Sequence, residues 1–186
     1  MKRRPRGFTL IELLVTIAVA AILLTIGVPS FQELFNRNRV ATVTNDFLTG
    51  LNYARSEAVK NALTTTICMS NDQATCTGNS GWANGWIVWV DRTGTGTFSS
   101  NYIVRVHGPI NAGDARLGGN GNQDGFAFNS QGALTATPEG GVSYPTTGDT
   151  INVCTPSALS LSRQVEVRSS GLVASQAPPT ALSTCP

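Results

Sequence analysis

The sequence predicts an α+β chain in which one long N-terminal helix packs on an antiparallel β-sheet head. Three observations carry this. Phe8 to Val28 is a run of 21 residues with a single charge, Glu12. Farther on, Val40, Val43, Phe47, Leu51, Ala54, Ala58 and Ala62 recur at steps of three and four, the stripe of a half-buried helix. After Ala62 the pattern turns to short β-rich runs separated by glycine and asparagine. A helix followed by consecutive strands is the α+β order.

The apolar run comes first. As a helix, at 1.5 Å per residue, such a length covers about 30 Å, enough to cross a bilayer. Four of the chain's 13 basic residues, Lys2, Arg3, Arg4 and Arg6, precede it. Cations next to a span stay on the cytoplasmic side, which places the rest of the chain outside. Without those four, nine basic residues face eleven acidic ones, a net of −2, so the head shows no basic excess of the kind that attracts nucleic acid. A cleaved secretory signal is the rival reading, with Ala18, Ala20 and Ala21 offering small residues for a cleavage site. Glu12 argues against it. A carboxylate near the start of a membrane segment costs several kcal/mol unless it finds a partner, and a discarded signal has no use for one.

Pro29 lacks a backbone donor, so a kink or local break is expected there. Beyond it, Asn36, Arg37, Asn38, Arg39, Asn45 and Asp46 lie off the apolar stripe and should face solvent. Strands are expected at Thr64–Ser70, Trp86–Asp91, Tyr102–His107, Gly125–Asn129, Thr150–Cys154, Arg163–Arg168 and Leu172–Ser175. The second and third should form a hairpin, and Ser169-Ser170-Gly171 should turn the chain into the last strand. Asn111–Asp124, with four glycines, reads as a mobile or surface excursion, and the tail at Ala177-Pro178-Pro179 as irregular.

Cys68, Cys76, Cys154 and Cys185 all follow the apolar run, where an oxidising compartment favours disulfides. Three pairings are possible. Cys68–Cys76 and Cys154–Cys185 are preferred, because each closes a short loop on its own stretch of chain, and each bridge is worth about 2–4 kcal/mol. Zinc is disfavoured, since no Cys-x-x-Cys occurs and His107 is the lone histidine. Asn120, Asn122, Asp124 and Gly125 imitate the start of a calcium loop, but the twelfth place holds Gln131 rather than a bidentate glutamate. No metal and no cofactor is expected. Nor is enzyme activity, since no serine or cysteine motif accompanies His107. Trp86 alternates with Ile87 and Trp89 across a strand, so at most part of the set Trp82, Trp86 and Trp89 should be exposed.

Gly7-Phe8-Thr9-Leu10-Ile11-Glu12-Leu13-Leu14-Val15 closely resembles the prepilin signature of type IV pilins and type II secretion pseudopilins. The resemblance implies that a membrane prepilin peptidase cuts between Gly7 and Phe8 and methylates the new amine of Phe8. Glu12 then becomes the fifth residue, the position of the glutamate that most pilins carry. Its carboxylate can neutralise the terminal amine of a neighbouring subunit inside an apolar filament core. The implied organisation is a cleaved leader at 1–7, a membrane and filament-core helix at 8–28, an amphipathic helix at 29–62 and a periplasmic head at 63–186. That makes a single-pass protein of the bacterial inner membrane, whose partners are the peptidase, lipid and other pilins or pseudopilins.

The head resembles the GspH/FimT group of minor pilins and pseudopilins, through Cys68 to Cys76, Gly81-Trp82, Gly85 to Asp91, Cys154 and Val165 to Gly171. The resemblance implies a minor pilin that initiates or caps a type IV pilus, or alternatively the H-type minor pseudopilin of a type II secretion system. Some members bind DNA through a Gly-Arg-x-Arg segment in the last hairpin. This chain has Gly171-Leu172-Val173-Ala174 there, without either arginine, so DNA is not an expected partner.

Overall fold

In the computed structural model, residues 7–78, 81–110, 115–119, 124–136, 144–180 and 182–185 are described. A single helix, α1, runs Leu10–Asn61, and eight strands follow. These are β1 (Thr65–Met69), β2 (Trp86–Val90), β3 (Ile103–His107), β4 (Arg116–Gly119), β5 (Gly125–Phe128), β6 (Gly148–Cys154), β7 (Arg163–Arg168) and β8 (Val173–Gln176). The chain divides into two compact units, Met1–Phe35 and Asn36–Pro186, taken in turn below.

In the first unit the helix is continuous through Pro29, so of the kink or local break expected there the break does not occur. Proline removes one rung of the hydrogen-bond ladder, while the turns on either side keep theirs. The hydroxyls of Thr25 and Ser30 donate to the carbonyls of Ile22 and Gly27 at 2.7 and 2.8 Å, adding local bonds around the gap.

The second unit is built on the apolar stripe of the helix. Val40, Val43, Phe47, Leu51, Ala54 and Ala58 are all buried, together with Thr44. Ala62 does not belong to the stripe. The helix has already ended, and Ala62 takes a left-handed conformation (φ 54°) while the Leu63 amide donates to the Ala58 carbonyl at 3.2 Å. Such a left-handed cap satisfies a carbonyl that the last turn leaves open. The six polar residues off the stripe are exposed, apart from half-buried Asn36.

The strands form two antiparallel four-stranded sheets rather than one, ordered β3-β2-β1-β5 and β4-β6-β7-β8. The β2–β3 hairpin forms as expected, with a register shift between Val88 and Trp89. Strand β4 lies inside the stretch expected to be an excursion. Arg116 pairs with Cys154 and Leu117 with Val153, and Ala115 and Leu117 are buried. Its two glycines mask the β pattern, and its pairing partner is far away in sequence. Residues 111–114 and 120–123 lie outside the described ones.

Both faces of the first sheet are covered. On the helix side, Phe47 meets Trp82 edge-on at 4.8 Å and Trp86 at 5.5 Å. A Cβ added at Gly50 would stand 2.7 Å from Trp86 Nε1, so the missing side chain is what lets the indole lie against the helix. On the far side, Ile87 and Trp89 pack with Cys68, Cys76, Phe98 and Ile103. All three tryptophans are therefore buried, and none is left for an exposed platform. Alternation along β2 required one face to pack on the helix, and Phe98 and the Cys68–Cys76 loop cover the other as well.

Cys68 is bonded to Cys76 and Cys154 to Cys185, with Cα separations of 5.6 and 5.8 Å. The second bridge ties the irregular tail to the end of β6.

After β2, buried Asp91 organises the connection to β3. Its Oδ1 accepts from the Thr93 amide and hydroxyl and from the Gly94 amide, while Oδ2 accepts from the Gly96 amide at 2.8 Å. Burial raises the pKa of this carboxyl, but the bonds from Gly96, Thr93 and Gly94 outweigh it and hold it below the ordinary value. A lowered folded-state pKa stabilises at pH above the unfolded value, and that contribution fades as pH falls through the folded value. Asp91→Asn should therefore melt below the wild type at neutral pH. The gap should close as pH drops below about 4, the ordinary carboxyl range. Thermal melts of both proteins across that range measure it, and a gap that stays constant with pH would contradict it.

Candidate functional site: the exposed apolar helix

Among the described residues, the first unit presents a long apolar surface with nothing packed on it. Phe8 is 86% exposed, Leu10 77% and Ile11 66%, and large apolar side chains stay exposed through Leu24, Val28, Phe31, Leu34 and Phe35. Among the described residues, none of the most apolar stretch is buried. Contiguous apolar surface on this scale marks contact with lipid or protein.

At the start of the helix the backbone is capped locally. Thr9 Oγ1 accepts from the Glu12 amide at 3.3 Å, and the Thr9 carbonyl accepts from the Leu13 amide at 3.2 Å. Thr9 is thus the N-cap and Glu12 the third helical residue, the positions of a Thr-x-x-Glu capping box. The signal is legible in Thr9-Leu10-Ile11-Glu12 itself, beside the more conspicuous apolar run. A carboxylate in the first turn also faces the positive end of the helix dipole. Glu12 thus has a local reason to stand where it does, but capping does not require exposed apolar side chains on every side.

The other candidate residues have structural occupations. His107 stacks on Trp86 with ring centres 3.9 Å apart, and its Nδ1 lies 2.8 Å from the Gly108 carbonyl. Its Nε2 is 3.9 Å from Asp46. Arg168 donates twice to Glu166, from Nε at 3.0 Å and Nη2 at 3.4 Å, an ion pair between residues of the same strand. Gly171 sits at φ 74°, and a Cβ there would overlap the Gly132 carbonyl oxygen, which also accepts from Arg55 Nε at 3.0 Å. This contact ties the last hairpin to the helix. Asn120 and Asn122 of the calcium-like stretch lie outside the described residues, and Gly125 is used in β5 beside Cys68. Among the described residues, no three His, Cys, Asp or Glu side chains gather where they could hold a metal ion.

The family described as type II transport protein GspH matches residues 43–171, well over half of the chain. The chain belongs to the GspH family. The prokaryotic N-terminal methylation motif matches residues 2–28, so this GspH-family protein joins the motif to the exposed helix and the head. Two crystal structures of the type IV minor pilin FimU from Pseudomonas aeruginosa have the same fold. One is 21% identical with a TM-score of 0.58, covering 82% of this chain and 98% of that one. The other is 19% identical with a TM-score of 0.57, covering 78% and 98%. No curated protein matches the chain. The GspH-family member is thus a type IV pilin-like protein, a long helix packed on an antiparallel head.

Proposed function

We propose that this chain is a minor pilin, which docks sideways through its N-terminal helix to initiate or cap a type IV pilus. The observation that carries the reading is the unpacked apolar helix with one acid, Glu12, near its start, directly after the Gly7-Phe8 junction. A prepilin peptidase cuts at that junction and methylates the Phe8 amine, removing the basic leader. The freed chain stays anchored in the inner membrane by 8–28, with its head in the periplasm. In the filament core, the Glu12 carboxylate neutralises the amine of a neighbouring subunit. Each charge alone is costly in lipid, and the pair much less so. The protein acts by assembly, not catalysis, with no cofactor, and DNA is not a proposed partner.

A second reading has its own support. The matching family is described as a type II transport protein, which favours a minor pseudopilin of a type II secretion system built by the same chemistry. Deletion in the host separates the two. Loss of surface pili with secretion intact supports the first, and the reverse supports the second.

Intact mass and terminal sequencing of the protein from host membranes test the shared part. The mature chain should begin at Phe8 with a methylated amine. A terminus after Ala20 or Ala21 would replace the filament reading with that of a released periplasmic protein.

A further inference from the structure

We infer that the base of the head carries a binding groove for an anionic phospholipid headgroup, an inference that rests on the membrane-anchored reading above. The groove measures about 460 Å³ and lies between the start of the head helix and the turn before β7. Arg37, Asn38 and Ala41 line one side, and Ser160, Leu161 and Arg163 the other.

Its chemistry is amphiphilic and of one sign. Two guanidinium groups, both on exposed residues, stand beside two serines, an asparagine and apolar side chains, and the lining holds no carboxylate. Guanidinium matches phosphate as a forked, charge-assisted donor. Arg37 already has a partner within the chain, but five N–H donors leave capacity for a second ligand.

Position along the chain favours lipid as the source of that phosphate. The exposed apolar side chains continue through Phe31, Leu34 and Phe35, and Arg37 follows the last of them by two residues. In sequence, the groove residues thus begin where the exposed apolar residues end, next to the segment proposed to lie in lipid. Leu161, Ala41 and Ala177 supply apolar lining suited to the glycerol and upper acyl chain, which a nucleic-acid phosphate does not need.

The test uses the processed full-length protein, extracted in mild detergent and offered equal phosphatidylglycerol and phosphatidylcholine. Native mass spectrometry reads the lipid retained. The wild type should keep phosphatidylglycerol preferentially, and Arg37→Gln/Arg163→Gln should lower that retention about thirtyfold, the factor two surface cations carry against anionic lipid. Arg163→Gln alone, at an exposed strand end, should lower it about fivefold, and it keeps the test open if the double variant is unstable. Arg39→Gln, on another side of the helix and outside the groove, should match the wild type. Equal retention of the two lipids, or retention indifferent to both groove variants, would overturn the inference. Displacement of the lipid by a short DNA duplex at lower concentration would overturn it in favour of nucleic acid. Carbonate extraction of host membranes separates the failures. A wild type that washes off loses the membrane reading and the groove together, whereas a carbonate-resistant protein without lipid preference loses only the groove.

Discussion

Glu12→Ala should remain in the membrane fraction while its recovery in sheared filaments or pseudopili falls at least about tenfold. The apolar run still spans the bilayer without the acid, and the substitution makes insertion easier. Assembly is another matter. The variant leaves a neighbour's terminal amine uncompensated in an apolar core, at a cost of several kcal/mol. Each ~1.4 kcal/mol is a factor of ten in an equilibrium. The structure also gives Glu12 a capping position beside Thr9, so alanine alone does not separate the two roles. Glu12→Gln does, because glutamine suits the capping box as well as glutamate but carries no charge. If Glu12→Gln fails to assemble like the alanine variant, charge pairing is the requirement. Normal assembly of Glu12→Gln would reduce Glu12 to a cap and remove the pairing mechanism.

Phe47→Ala should destabilise the head by about 3–5 kcal/mol, the cost of deleting a fully buried aromatic side chain. Phe47 has no exposed surface and stands edge-on to both Trp82 and Trp86, where the helix meets the first sheet. Domains of ordinary size hold only about 5–15 kcal/mol in total, so a loss of this size consumes much of the margin. Denaturant unfolding of the full-length protein, followed by tryptophan fluorescence, reports the change close to the lesion. Val59→Ala is the comparison. It changes a residue of the same helix that is 52% exposed, and should stay within about 0.5 kcal/mol. Equal shifts in the two variants would mean that the head does not depend on this interface.

What could be read from residues alone was local in origin. The apolar run, its acid and the Gly7-Phe8 junction are contiguous, so a short window displays them whole. The stripe from Val40 to Ala58 follows from helical periodicity, and β2, β3 and β7 from dense β-branched and aromatic runs. Even the Thr9 cap was legible in principle.

Tertiary structure decided what depends on distant partners. Strand β4 exists because β6 offers it an edge, and two glycines hide it from any local pattern. Division of the strands into two sheets, the cover that Phe98 and a disulfide loop place over Trp89, and the groove that Arg37 and Arg163 both line all join residues far apart in the chain. A sequence states which side chains want burial or a partner. Only the folded chain, by bringing remote segments within a few ångströms, determines which of them receive it.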